Sequence, residues 1–232
     1  MSEHGGEDMS DNLLGVVVIG QSPRPEVERE LRRVVGAELP IRLVGALDGV
    51  TRRDIDGLAP TGSDDTLFTR LPDGEGVVVA KRAVADGVQR RLAEFEADGV
   101  DVTLLACTGA FPPLRYRGFL VQPSPVLHHA VLGLLPKGRI GIFNPLPEQR
   151  EQVARKWRKE GWEIEFEALL PGSDVEAVEA AARRMAQHRP DLLVLDCMGY
   201  TEADKERIRN VTGCRVLLAV SVAARALQEL LT

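Results

Sequence analysis

The stretch Asp101-Val102-Thr103-Leu104-Leu105-Ala106-Cys107-Thr108-Gly109 is answered later in the chain by Asp191-Leu192-Leu193-Val194-Leu195-Asp196-Cys197-Met198-Gly199. In each copy an aspartate stands six residues before a cysteine and a glycine two residues after it. The short apolar run between them has the length of a buried strand. Each strand therefore delivers a thiol to its C-terminal end, where glycine permits a tight turn or the close approach of a ligand. Open α/β sheets bind their ligands at that end.

A second match precedes each copy. One apolar run ends in Ser22-Pro23-Arg24-Pro25-Glu26, and the run beginning at Arg139 ends in Asn144-Pro145-Leu146-Pro147-Glu148. The shared pattern Ser/Asn-Pro-x-Pro-Glu is that of a strand-to-helix turn, with an N-cap, a proline in the first turn and an early glutamate at the positive end of the dipole. Capping alone accounts for it as well as ligand binding does. Two matches in the same order mark a duplication.

From Leu13 onward short apolar runs alternate with longer amphipathic ones, the pattern of strands and helices around a mostly parallel sheet. Strands are expected at Leu14 to Ile19, Ile41 to Val44, Gly76 to Ala80, Val102 to Ala106, Arg139 to Phe143, Glu163 to Ala168, Leu192 to Asp196 and Arg215 to Ala219. Helices are clearest at Val84 to Ala97, Leu146 to Glu160, Val175 to His188 and Ser221 to Leu231. The expected fold is α/β, with two similar lobes, each a mostly parallel sheet flanked by helices, related by a pseudo-two-fold duplication. Residues 1–12 read as a disordered tail, 13–127 as the first lobe, 128–214 as the second, and 215–232 as a last strand and helix free to pack back on the first lobe. Ser22 to Cys107 is a longer interval than Asn144 to Cys197. The surplus is assigned to an inserted loop, 46–76, rich in Gly, Asp, Thr and Pro, with at most a short helix at Thr51 to Leu58, that borders or covers the cleft. Prolines and glycines between Ser124 and Gly138 mark a hinge.

Bulk composition narrows the partners. The net charge of -6, from 29 basic and 35 acidic side chains, argues against a polyanion, so no nucleic acid is expected. No apolar run approaches the roughly 18 residues of a membrane helix, and the polar, acidic start is no export signal. The expectation is a soluble, cytoplasmic protein with no membrane partner. Three cysteines form neither a disulfide framework nor a CxxC site, so their thiols are expected free. His4, His128, His129 and His188 have no second ligand at helical spacing, and there is neither a dinucleotide fingerprint nor a P-loop. No metal and no cofactor are expected. The partner is a small-molecule substrate, and homo-oligomerisation is left open.

A lone strand-end cysteine is most often a small apolar filler, but two in matched positions argue for chemistry. A thiol near pKa 8.5 is lowered by backbone N–H groups or a helix N-terminus. Thr201 with Asp204 reads as a capping box opening a helix beyond Cys197, whereas Phe111-Pro112-Pro113 follows Cys107. If a substrate carbon sits between the two, one thiolate removes its proton and the other thiol returns one from the far face, inverting the centre. Carboxylate donors would come from Ser22, Thr108, Asn144, the N–H groups near Gly109 and Gly199, and Arg24, whose fork grips a carboxylate in a bidentate way. Arg24 has an equal reading as a solvated helix-start charge. Cys214 reads as packing, Tyr200 and Phe111 as cleft or lobe packing, and Asp196 as pointing away from Cys197 to bond backbone.

The two-lobed plan, with one thiol at a strand end in each half, resembles the aspartate/glutamate/hydantoin racemase superfamily. More closely, Ile19-Gly20-Gln21-Ser22-Pro23-Arg24-Pro25, Leu47-Asp48-Gly49, Cys107-Thr108-Gly109-Ala110-Phe111-Pro112 and Leu195-Asp196-Cys197-Met198-Gly199-Tyr200 resemble the AroM protein family, from about Leu13 to the C-terminus. The resemblance implies a cofactor-independent racemase, epimerase or isomerase of a small carboxylate-bearing substrate, with Cys107 and Cys197 as acid and base. Thr108-Gly109 and Met198-Gly199 stand where amino-acid racemases have the Asn-Thr or Thr-His that help bind substrate. Two alternatives remain, a same-fold lyase or decarboxylase with one catalytic thiol and a non-catalytic small-molecule binding protein.

Overall fold

A computed structural model of the chain describes residues 13–231; the tail expected at 1–12 lies outside the described residues. The first half runs β1 (Leu14–Val18), α1 (Pro25–Val35), β2 (Ile41–Gly45), α2 (Arg52–Asp56), β3 (Thr66–Arg70), β4 (Gly76–Ala80), α3 (Lys81–Ala97), β5 (Val102–Ala106), β6 (Phe119–Val121) and α4 (Pro123–Leu134). The second runs β7 (Gly138–Asn144), a 3-10 turn (Pro147–Gln149), α5 (Arg150–Lys156), β8 (Trp162–Ala168), α6 (Val175–Ala186), β9 (Leu192–Leu195), α7 (Glu202–Thr212), β10 (Val216–Leu218) and α8 (Ala219–Leu231).

Two four-stranded parallel sheets result, ordered β2-β1-β5-β6 and β8-β7-β9-β10. The second order repeats the first strand for strand, so β1 corresponds to β7 and β5 to β9. Each sheet is covered on both faces, which is why its central strands are continuous apolar runs; β1 and β9 are buried at every position. Register puts Val18 beside Ala106 and Phe143 beside Leu195. In each half the proline turn and the cysteine turn therefore leave neighbouring strand ends.

Alternation along β5 sorts its side chains. Leu104 and Ala106 face a core shared with the second sheet, while Leu105 and Cys107 face a separate cluster built on Val88, Leu92 and Phe95 of α3. Helix α8 packs against α1 and α4, and the Gln228 amide donates to Val34 O at 3.0 Å. On α4, His128 lies 5.5 Å from the Trp157 ring and 5.4 Å from Trp162.

Several local expectations change. The segment 46–76 is not simply a loop. Its end folds as β3, which pairs antiparallel with β4 into a hairpin. The strand was hidden because it lies in a segment rich in Gly, Asp, Thr and Pro that reads as loop, although Thr66, Phe68 and Thr69 favour a strand. The short helix is α2, with Thr51 accepting from the Asp54 N–H. The proposed hinge at Ser124 to Gly138 is instead mostly α4, whose prolines stand in the first turn, where a missing N–H costs nothing. The helix expected from Leu146 to Glu160 reduces to the 3-10 turn and α5. No helix among the described residues is long and apolar enough to cross a membrane.

Candidate active site

The C-terminal ends of β1, β5, β7 and β9 converge on a cleft of about 490 Å³ between the two sheets. Cys107, Thr108, Gly109, Arg24, Asn144, Cys197, Met198 and Gly199 all line it. Among the expected site residues, Ser22 does not. Its N–H and hydroxyl both bond the Asp48 carboxylate, at 2.7 and 2.8 Å, which also accepts from the Gly45 N–H. The capping role expected of the Ser/Asn-Pro-x-Pro-Glu turns fails as well. Arg24, without a side-chain cap bond, stands at the start of α1, and Asn144 is the last residue of β7. These residues tie strand ends together instead.

The thiol turns are built alike. The Gly109 N–H donates to Cys107 Sγ at 3.3 Å and the Gly199 N–H to Cys197 Sγ at 3.5 Å. Both glycines are close approaches: a Cβ on Gly109 would meet Leu67 Cδ2 at 2.8 Å, and one on Gly199 would meet Pro171 Cβ at 3.0 Å. Burial dominates the acidity of both sulfurs. It pushes Cys107 up to about 11 and Cys197 up to about 12, from 9.0. The glycine N–H groups oppose this, joined at Cys107 by the Lys156 ammonium. Asp196 adds to the rise at both sulfurs, joined at Cys197 by the neighbouring Cys107, while Arg24 opposes it there. The expected lowering by a helix beyond Cys197 does not occur. The capping box of α7 is present, with Thr201 and Asp204 bonding each other, and the Glu202 N–H donates to Glu30 of α1, so side chains take these N–H groups.

A polar network joins the two turns across the cleft floor. The Asp196 carbonyl accepts from the Thr108 hydroxyl at 3.0 Å and from Asn144 Nδ2 at 3.1 Å. The Asp196 carboxylate, fully buried, accepts from Lys156 Nζ at 2.8 Å and from Trp157 Nε1 at 2.8 Å. Lys156 spends its third donor on Thr108 O at 2.8 Å. Its ammonium thus bonds one thiol turn and the residue before the other. The Asp196 side chain, expected to bond backbone, bonds the Lys156 ammonium and the Trp157 indole instead. One sequence signal was available. Asp196 stands where the first copy has Ala106, and a charge at a strand end that its twin leaves apolar calls for a partner.

Arg24 is buried, bonding Glu26 and, at 3.4 Å, the Thr69 hydroxyl. The hairpin supplies the remaining wall. Arg70, at the end of β3, reaches across to the Pro171 carbonyl of the second half. Gln149, buried in the 3-10 turn, donates Nε2 to Thr66 O at 3.2 Å. Sequence reasoning missed Arg70, Gln149 and Lys156, since none lies in either repeated motif. The expectation that 46–76 borders the cleft holds, through Leu67, Thr69 and Arg70. Cys214 lies apart and partly buried, donating to Pro190 O at 3.1 Å. Among the described residues no cluster of His, Cys, Asp or Glu could hold a metal ion.

Comparison with known proteins places this geometry. The model of the AroM protein family matches residues 14–231. Among solved structures, glutamate racemase from Bacillus anthracis superposes with a TM-score of 0.64 at 14% identity, covering 96% of this chain and 82% of that one. Arylmalonate decarboxylase gives 0.57 at 14%, covering 93% and 92%. Maleate cis-trans isomerase from Nocardia farcinica, in a variant carrying a covalently bound succinylcysteine intermediate, gives 0.57 at 17%, covering 94% and 91%. These share the two-lobed fold. No curated protein matches the sequence significantly.

Proposed function

The chain belongs to the AroM protein family, and from the geometry of its cleft we propose that it is a racemase, epimerase or isomerase that moves a proton at the carbon beside a substrate carboxylate without a cofactor. The observation that carries this reading is the pair of thiols, one from each half, on a single cleft with a backbone N–H on each sulfur.

Cys107 serves as the base and Cys197 as the acid. Lys156 sits on the Thr108 carbonyl and favours a thiolate at Cys107, while the Asp196 carboxylate opposes ionisation of both thiols and burial raises Cys197 further. The Cys107 thiolate takes the C–H proton, leaving a carbanion conjugated with the carboxylate. The Cys197 thiol gives its proton to the opposite face, so the centre inverts and the pair has exchanged protonation states. Arg24 and Arg70 stabilise the charge that builds on the carboxylate oxygens, in a cleft partly closed to water. The reverse reaction uses the same pair with roles exchanged. That glutamate racemase and maleate isomerase share the fold favours this reaction type.

The test is incubation in heavy water with amino acids, hydantoins, and hydroxy and dicarboxylic acids, following deuterium at the carbon next to the carboxylate. Exchange that is lost in both Cys107→Ala and Cys197→Ala is the expected result. Variants as active as the parent would remove the two-thiol scheme.

A further inference from the structure

Three buried side-chain polar atoms find no hydrogen-bond partner among the described residues: Arg70 Nε, Asn144 Oδ1 and Gln149 Oε1. All three belong to residues that line the one cleft. An unmade bond at a buried polar atom is costly, so such atoms are rare, and three among the residues lining one cleft are best explained by a ligand that completes them. The amide orientations follow from the bonds already made. Asn144 Nδ2 is held by Asp196 O and Gln149 Nε2 by Thr66 O, so in each case it is the oxygen that is left over. The Gln149 side chain itself lines the cleft.

Charge completes the description. Five basic side chains line the cleft against three acidic ones, in a chain whose net charge is -6. Each acid is already paired: Glu26 with Arg24, Asp64 with Arg155 and Asp196 with Lys156. Arg70 forms no ion pair among the described residues, and bonds only the Pro171 carbonyl. The wall therefore offers an unpaired cation for an anion and two neutral oxygens for hydrogen-bond donors, but no free carboxylate for an ammonium group. An ammonium placed there would meet net positive charge.

We infer that the substrate of the proton transfer proposed above, on which this assignment rests, is a hydroxy acid rather than an amino acid: Arg70 receives its carboxylate, and Gln149 and Asn144 accept from its hydroxyl groups. The test uses two series matched in all but one substituent, namely malate, succinate and aspartate, and 3-phenyllactate, 3-phenylpropionate and phenylalanine. Dissociation constants are measured by calorimetry on the full chain. In at least one series the hydroxy acid binds about tenfold or more tighter than both partners, as a site built to bond a hydroxyl rejects analogues lacking one. Gln149→Met erases that advantage without weakening the unsubstituted acid, and Arg70→Met weakens all members of the series. Gln149→Glu, which keeps the acceptor and adds charge, raises the amino acid relative to the hydroxy acid; it also guards against a Gln149→Met variant that folds poorly, which its melting temperature would report. An amino acid that binds as tightly as its hydroxy partner overturns the inference, as does a hydroxyl without effect or the failure of every member to bind. Hydroxyl preference without deuterium exchange removes the two-thiol reaction and leaves the binding assignment standing; exchange without the preference does the reverse.

Discussion

The two cysteine turns are sequence twins with unequal surroundings. Cys107-Thr108-Gly109 is followed by no helix, yet its carbonyl at Thr108 holds the Lys156 ammonium and its threonine hydroxyl crosses to Asp196 O. Cys197-Met198-Gly199 leads into α7, but that helix end carries its own capping box, Met198 is apolar and buried, and the Asp196 carboxylate and the Cys107 thiol oppose ionisation of the sulfur. The thiol that seemed better supported by local sequence is thus the harder one to ionise. A helix N-terminus acts on a sulfur only when its N–H groups are free, and here a side chain uses them. Duplication made the frame symmetric, and the Lys156 ammonium, which acts on Cys107, makes the surroundings of the two thiols unequal.

The largest effect should come from removing either sulfur. Cys107→Ala and Cys197→Ala are each expected to lower exchange at the substrate carbon by about 10³-fold, within the range of general acid–base catalysis. Measuring each substrate enantiomer separately sharpens the contrast, since each thiol faces one enantiomer only, and a variant that still exchanges both enantiomers at the parental rate would remove its cysteine from the chemistry.

Breaking the asymmetry itself comes next. Lys156→Met leaves the buried Asp196 carboxylate with Trp157 as its remaining side-chain donor, and should cost about 3–5 kcal/mol in urea unfolding. Lys156→Met/Asp196→Leu should recover much of that loss. In the single variant the ascending, acid-side limb of the exchange rate should also move to higher pH, because the base Cys107 loses the ammonium that opposes its burial.

The raised thiols also make the fold sensitive to alkali. In the unfolded chain a thiol ionises near 9.0, while in the fold Cys107 keeps its proton to about 11 and Cys197 to about 12. Between those values the folded state binds more protons than the unfolded one, so stability is full below pH 9 and falls as pH rises towards 11 and 12. For Cys107 the loss is on the order of 3 kcal/mol, at about 1.4 kcal/mol per unit. Denaturant midpoints between pH 8 and 11 should flatten in Cys107→Ala relative to the parent.

The smallest effect tests one bond. Thr108→Val removes the hydroxyl that reaches Asp196 O, which still accepts from Asn144, and should cost about 1 kcal/mol. A loss above about 3 kcal/mol would mean that the hydroxyl holds the two halves together rather than trimming one turn.

Much of this was legible in the linear order of residues. Sheets covered on both faces require uninterrupted apolar strands, so Leu14–Val18, Val102–Ala106 and Leu192–Leu195 declare themselves, and the repeated spacing from aspartate to cysteine to glycine marked where two thiols would emerge. The capping box at Thr201 and Asp204 was equally plain, because all its atoms lie within one turn. What depended on distant contacts was not. Strand β3 exists through its pairing with β4, Ser22 is drawn to Asp48 rather than to the cleft, and Asp196 meets Lys156 from a helix forty residues earlier, a separation the hydrogen bond itself records. Periodicity and capping are local, and the chain therefore determined its strands, its duplication and the place of its thiols by itself. Which thiol stands beside a cation, and which buried oxygens are left unpaired, was decided only when the two sheets met, because charge and hydrogen bonding act through space between groups the sequence keeps apart.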